Sequence, residues 1–172
     1  MRREHGFTLI ELMLVVAIIG VLATIAGNRM MRARLSAHEA SAAGSLRVIN
    51  SSEAAYSSSC ASGAYATDLA DLAKAPSGTS VAFISPDLST NGIRKSGYEF
   101  TLVRSAAPDT ADGTLGTCNG ATATPASGYH ASAVPIGLIG GRYFGTDKRG
   151  TIFQDLAAAL INPIPDTATV FR

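Results

Sequence analysis

The sequence has no tryptophan, and only 6% of its 172 residues are aromatic, so a large and bulky core is excluded. With 17 glycines and many alanines, serines and threonines, a modest core and numerous loops are expected. Charge of one sign is also missing: 14 Lys and Arg stand against 13 Asp and Glu, a formal net charge of +1. The first six residues hold Arg2, Arg3 and Glu4, so 12 basic and 12 acidic side chains remain beyond them. Such a balance offers neither the basic surface that neutralises phosphates nor an acidic tail, and no direct nucleic-acid site is expected. His5, His38 and His130 fall in different expected elements, and there is no C-x-x-C. Neighbours in sequence therefore supply neither a zinc site nor a general base with an orienting partner. "GLIGGRYFG" lacks the Gly-Lys-Ser/Thr and the strand-turn-helix setting of a phosphate loop. Asp109 and Asp112 in "PDTADG" fill too little of a calcium loop. No catalytic, metal or cofactor-binding residue is assigned, no cofactor is expected, and the chain is not read as an enzyme.

What the sequence does have is one long hydrophobic run, "GFTLIELMLVVAIIGVLATIAG", Gly6 to Gly27. At about 1.5 Å per residue, positions 7–27 span roughly 30 Å, the hydrocarbon thickness of a bilayer. Arg2 and Arg3 before the run favour a cytoplasmic N-terminus, whereas Arg29, Arg32 and Arg34 after it weaken that preference. A cleaved signal peptide, with "ATIAG" as its small-residue site, and a plain signal anchor both account for the apolar run. Neither accounts for Glu11, a carboxylate whose burial at the centre of a bilayer helix costs roughly 2.5–3.5 kcal/mol. A third reading, in which the acid has a partner, explains it.

"G-F-T-L-I-E" followed by "LMLVVAIIGVLATIA" closely resembles the processing signal of type IV pilins and pseudopilins, with the close similarity confined to residues 6–26. The resemblance implies cleavage by a prepilin peptidase between Gly6 and Phe7, N-methylation of Phe7, and a role in subunit assembly for Glu11. In a filament, the Phe7 amine of one subunit would be neutralised by Glu11 of a neighbour, and breaking such a buried pair typically costs about 3–5 kcal/mol. The partners implied are identical subunits in a helical filament, the peptidase, a membrane assembly platform with its ATPase, and an outer-membrane secretin where the cell has one. The implied location is the inner membrane, single-pass with the N-terminus cytoplasmic, and then an extracellular pilus or periplasmic pseudopilus. The sequence departs from the family in lacking a proline soon after the apolar run, where Gly27 and Asn28, both weak helix formers, stand instead. Related pseudopilins can bind calcium in a C-terminal loop; no ligand positions follow from that here.

The expected organisation is a leader at 1–6, a transmembrane or filament-core helix at 7–27, its amphipathic continuation at 28–59 and a globular head at 60–172. The continuation has no proline and carries Met30, Ala33, Ala37, Ala40, Leu46, Ile49 and Ala54 near helical spacing. Residues 60–80 read as a loop with one helical turn at Leu69 and Leu72. Strands are expected at 80–85, 97–104, 128–136, 142–147 and 150–155, with "TDKRG" as a hairpin turn and 105–128 as an exposed loop anchored by Cys118. The C-terminal stretch, broken by Pro163 and Pro165, reads as irregular. Cys60 and Cys118 lie beyond the apolar run; an exported head makes them a disulfide, and two free buried cysteines are the alternative. A long helix followed by an antiparallel meander is an α+β fold, as the pilin resemblance also implies. "YATDLADL", "SGYEFTL" and "YFGTDKRGTI" look like phrases of bacterial pilins and tilt the reading toward a pilus subunit. The alternatives are a pseudopilin of a type II secretion system and a membrane-anchored binding or catalytic domain.

Overall fold

The computed structural model describes residues 6–108, 116–137 and 141–171, with residues 26–28 described by backbone alone. Arg2, Arg3, His5, Asp109 and Asp112, and part of "GLIGGRYFG", lie outside the described residues. Two compact units emerge, residues 1–37 and 38–172. Helix α1, Leu9–Ser59, supplies residues to both.

In the first unit the helix is apolar on every side over residues 9–25 apart from Glu11 and Thr24, and it is long and apolar enough to cross a membrane by length and composition. In the second unit the same helix becomes one-sided. Ala42, Leu46, Ile49, Glu53, Tyr56 and Cys60 recur every three or four residues and are all buried, the spacing that keeps one stripe of a helix inward. The fold is α+β: that stripe shares one hydrophobic core with a six-stranded sheet.

The strands are β1 Ile93–Lys95, β2 Tyr98–Arg104, β3 Tyr129–Pro135, β4 Tyr143–Asp147, β5 Ile152–Asp155 and β6 Thr169–Val170. They form an antiparallel meander in which every strand pairs with its neighbours in sequence. The register lays Phe100, Ala133 and Phe144 across one row of β2–β4, and Leu102, Ala131, Thr146 and Ile152 across the next. These residues are buried, so the small alanines of β3 form a trough between larger side chains. Asn50 of α1 is the polar link to the sheet. Its Oδ1 accepts from the Tyr129 and Thr146 hydroxyls, each at 3.0 Å, and its Nδ2 donates to the Gly150 carbonyl at 3.0 Å. Glu39 fixes the start of β4 by accepting from the Arg142 backbone N–H at 3.2 Å and pairing with its guanidinium.

The β1–β2 hairpin turns through Ser96 and Gly97, both with positive φ, which matches the right-handed twist of the flanking strands. The β4–β5 turn lies at "TDKRG", where the Gly150 N–H donates to the Asp147 carbonyl.

Three expectations need correction. Residues 80–85 are not a strand: the Phe83 and Ile84 N–H groups donate to the Leu72 carbonyl, and the Phe83 carbonyl accepts from Ser52 of α1. The side chains of Phe83 and Ile84 serve the core while their backbone is used locally, with Phe83 packed edge-on against Tyr56 and Val81 exposed. β1 and β6 were not expected; at three and two residues neither is long enough to show an alternating pattern. Finally, the described part of 105–128 is not a freely exposed loop.

Residues 116–126 are stitched to 60–74. Cys60 and Cys118 form a disulfide, and the Cys118 N–H donates to the Cys60 carbonyl. Tyr65 and Ala126 exchange both backbone hydrogen bonds. Asp71, in the short helix α2 Leu69–Leu72, is buried and accepts from the Thr122 and Ala123 N–H groups at 2.9 Å and from Lys74 at 2.8 Å. Burial works against its charge, but Lys74 and those two N–H groups outweigh it and hold its carboxyl below the usual range.

The disulfide closes a loop with a sequence separation of 58, worth roughly 4 kcal/mol of loop-closure entropy. Cys60→Ser with Cys118→Ser should lower the denaturant-unfolding free energy of the head by about that amount. An unchanged transition would show that the non-covalent stitching suffices.

Glu53 behaves oppositely to Asp71. It is fully buried, Oε2 accepts only from the Ala66 N–H at 2.9 Å, and Oε1 has no partner among the described residues. Burial pushes its pKa up to about 8. The unfolded carboxyl ionises near 4.3, so between that pH and about 8 the folded state binds the extra proton and stability falls as pH rises. Burial pushes His130 down, which acts in the other sense near pH 6, so the comparison has to be made against Glu53→Gln. Thermal midpoints of the wild type should decline more steeply from pH 5 to 8 than those of the variant; parallel profiles would mean that Glu53 does not hold its proton.

Candidate functional site

The described residues contain no cluster of three or more His, Cys, Asp or Glu able to hold a metal ion. His130 is buried on β3, paired in register with Asp147, and His38 lies on α1. The residues singled out from the sequence at the N-terminus, Gly6, Phe7 and Glu11, lie within one short stretch, where Glu11 is held by Thr8.

Thr8 precedes the first residue of α1, and its carbonyl accepts from the Leu12 N–H at 3.3 Å. The Thr8 hydroxyl accepts from the Glu11 N–H at 3.3 Å. Glu11 reaches back, and its Oε2 accepts from the Thr8 N–H at 2.9 Å and from the Thr8 hydroxyl at 2.6 Å. This is a reciprocal capping box, T-x-x-E, which satisfies backbone donors that a helix start leaves orphaned. Both contacts fall on Oε2, and among the described residues Oε1 has none.

Sequence reasoning identified Glu11 and missed Thr8. The signal was present, since "TLIE" before an apolar run is the capping-box pattern. The acid therefore has an intrachain task as well as the intersubunit one expected of it. Gly6 and Phe7 lie just outside the helix, and Phe7 is 78% exposed. A Cβ added at Gly6 would meet nothing within 4 Å, and its φ is not in the left-handed region. Nothing in the packing of the described residues calls for glycine there. Around Glu11 the side chains of Leu9, Ile10, Leu12, Met13 and Leu14 are all exposed, a surface whose burial needs lipid or other helices. Cys60 and Cys118 belong to the other unit and staple the head.

Thr8→Val keeps the size and removes the hydroxyl. It should destabilise the first helical turn by about 1 kcal/mol, read as faster amide exchange confined to residues 9–12 in detergent micelles. Unchanged protection would show that the box does not hold the helix start.

Residues 1–27 match the prokaryotic N-terminal methylation motif. A probable minor fimbrial protein of Dichelobacter nodosus is 81% identical over 26 residues, which are 15% of this chain and 16% of that protein. The match thus spans about a sixth of that relative's length. No solved structure matches the chain. The likeness to the methylation motif and to the fimbrial protein is confined to the N-terminal residues.

Proposed function

We propose that this chain, bearing the type IV pilin methylation motif at its N-terminus, is a structural subunit cut by a prepilin peptidase and assembled through α1 into an extracellular pilus. The observation that carries the reading is that motif, with Glu11 in an otherwise uncharged apolar run from Phe7 to Ala26. In this reading residues 1–6 are the leader, 7–27 the membrane span and later the filament core, 28–59 the continuing helix and 60–172 the head.

The peptidase cuts between Gly6 and Phe7. A glycine that packing does not require suits a role in recognition by another protein. The cut turns the Phe7 nitrogen from an amide into an amine, which the peptidase methylates and which keeps a positive charge. Once the helix leaves the bilayer for the filament, that charge is neutralised by Glu11 of a neighbour. With Oε2 engaged by Thr8, Oε1 is the atom available to it. Removing either member leaves an uncompensated buried charge, so the pair selects subunits at the correct stagger. The disulfide supports an oxidising location for residues 38–172, hence a cytoplasmic N-terminus before assembly. The assembly platform, its ATPase and any secretin act on the subunit in this scheme; no catalytic role falls to the chain itself. A type II secretion pseudopilin would share the processing and the pairing; the fimbrial relative favours the pilus.

The test is mass spectrometry of sheared surface filaments alongside the membrane pool. The mature N-terminal peptide should begin at Phe7 with one methyl group, and filaments should contain this chain. Glu11→Ala should leave the membrane pool unchanged and reduce the filament fraction at least tenfold, with Glu11→Gln also defective. A chain starting at Met1 or after Ala26, or Glu11→Ala filling filaments at wild-type levels as the sole subunit, would overturn the proposal.

A further inference from the structure

The stretch directly after the apolar run carries an unbalanced charge. Arg29, Arg32 and Arg34 fall within six residues, residues 28–37 contain no acid, and all three arginines are exposed. Among the described residues none of them takes part in an ion pair. We propose that these arginines form a collar that binds the phosphate groups of anionic phospholipids on the outer leaflet of the membrane. This rests on the reading that 7–27 spans the bilayer.

Three observations favour lipid over protein as the occupant. First, at about 100° per residue Arg29 and Arg32 lie about 60° apart and Arg34 about 140° round the other side. Charges spread round the helix suit a surrounding plane of headgroups, whereas a protein groove would be met by a stripe.

Second, the dimensions agree. The run 7–27 takes up the roughly 30 Å of hydrocarbon, and Arg29 to Arg34 then rise about 7.5 Å, close to the depth of one headgroup layer. Met30 and Met31, interleaved with the arginines and both exposed, suit the acyl boundary.

Third, a second copy offers few free acids. Residues 38–172 carry 9 basic and 11 acidic side chains. Glu39, Asp71, Asp87, Glu99, Asp147 and Asp166 are already in ion pairs, and Glu53 is buried. The guanidinium fork also matches phosphate geometry and engages it with paired hydrogen bonds.

The absence of tryptophan makes the test direct, because Met31→Trp creates a single reporter within the collar. The full chain carrying that change is reconstituted into phosphatidylcholine vesicles containing a trace of dansyl-labelled phosphatidylglycerol or dansyl-labelled phosphatidylcholine. Energy transfer from the reporter reads which lipid lies beside it. The expected result is about a fivefold preference for phosphatidylglycerol, from an attraction of about 1 kcal/mol per basic residue near the surface. The preference should shrink at about 0.5 M salt, where the screening length is only a few ångströms. It should disappear when Arg29→Gln, Arg32→Gln and Arg34→Gln are combined.

Insertion with equal transfer to both lipids would overturn the collar and leave the spanning reading intact. Failure to insert in either lipid would overturn both. Equal transfer together with loss of the triple variant from filaments would assign the arginines to acids of a neighbouring subunit and overturn the lipid proposal.

Discussion

One helix has to satisfy two kinds of surroundings, and the remainder of the chain is arranged around that constraint. Over residues 9–25 of α1 every described side is apolar apart from Glu11 and Thr24, whereas over residues 38–59 only one stripe is buried. A helix apolar all round has no reason to prefer any face and is stable in lipid or among like helices. A one-sided helix needs a surface to bury its stripe, and the meander provides it. The alanines of β3 leave room between the rings of β2 and β4, and Asn50 ties the helix to β3, β4 and the β4–β5 turn with three hydrogen bonds.

Two glutamates on this helix show how surroundings determine what the same carboxylate does. Glu11 stands where no bulk of the chain covers it, and it is satisfied by the residue three before it. Glu53 is enclosed with a single backbone donor, so burial favours its neutral form. Asp71 is also buried but less deeply, and a lysine and two backbone N–H groups that converge on it favour its charged form. Depth of burial and the number of donors together set which form each carboxyl prefers.

The head compensates for its small aromatic complement with cross-links. The disulfide, the Asp71 bonds and the Tyr65–Ala126 bridge hold 60–74 and 116–126 as one layer. At the C-terminus, Arg149 binds Asp147, Asp166 and the Ile164 carbonyl and lies over the Phe153 ring. Irregular segments rich in Ala, Ser and Gly lose much entropy on ordering, and such contacts offset it where apolar burial cannot.

By itself the sequence determined what depends on local pattern. A long apolar helix followed from an apolar run broken only by Glu11, and the α+β class from a long helical period followed by alternating strands. The hairpin at "TDKRG" followed from turn chemistry, and the likeness to the methylation motif from "GFTLIE" before that run. The capping box was equally local and was legible in "TLIE". Only the tertiary structure decided the fate of 80–85, because its apolar side chains look the same whether the backbone pairs with a strand or with the Leu72 carbonyl. It also decided the short edge strands β1 and β6, which borrow their order from longer neighbours. The contrast between Glu53 and Asp71 was likewise beyond the sequence, since it depends on donors from residues 13 and about 50 positions away. Periodicity records which face of an element is apolar; only folding determines which distant groups come to meet it.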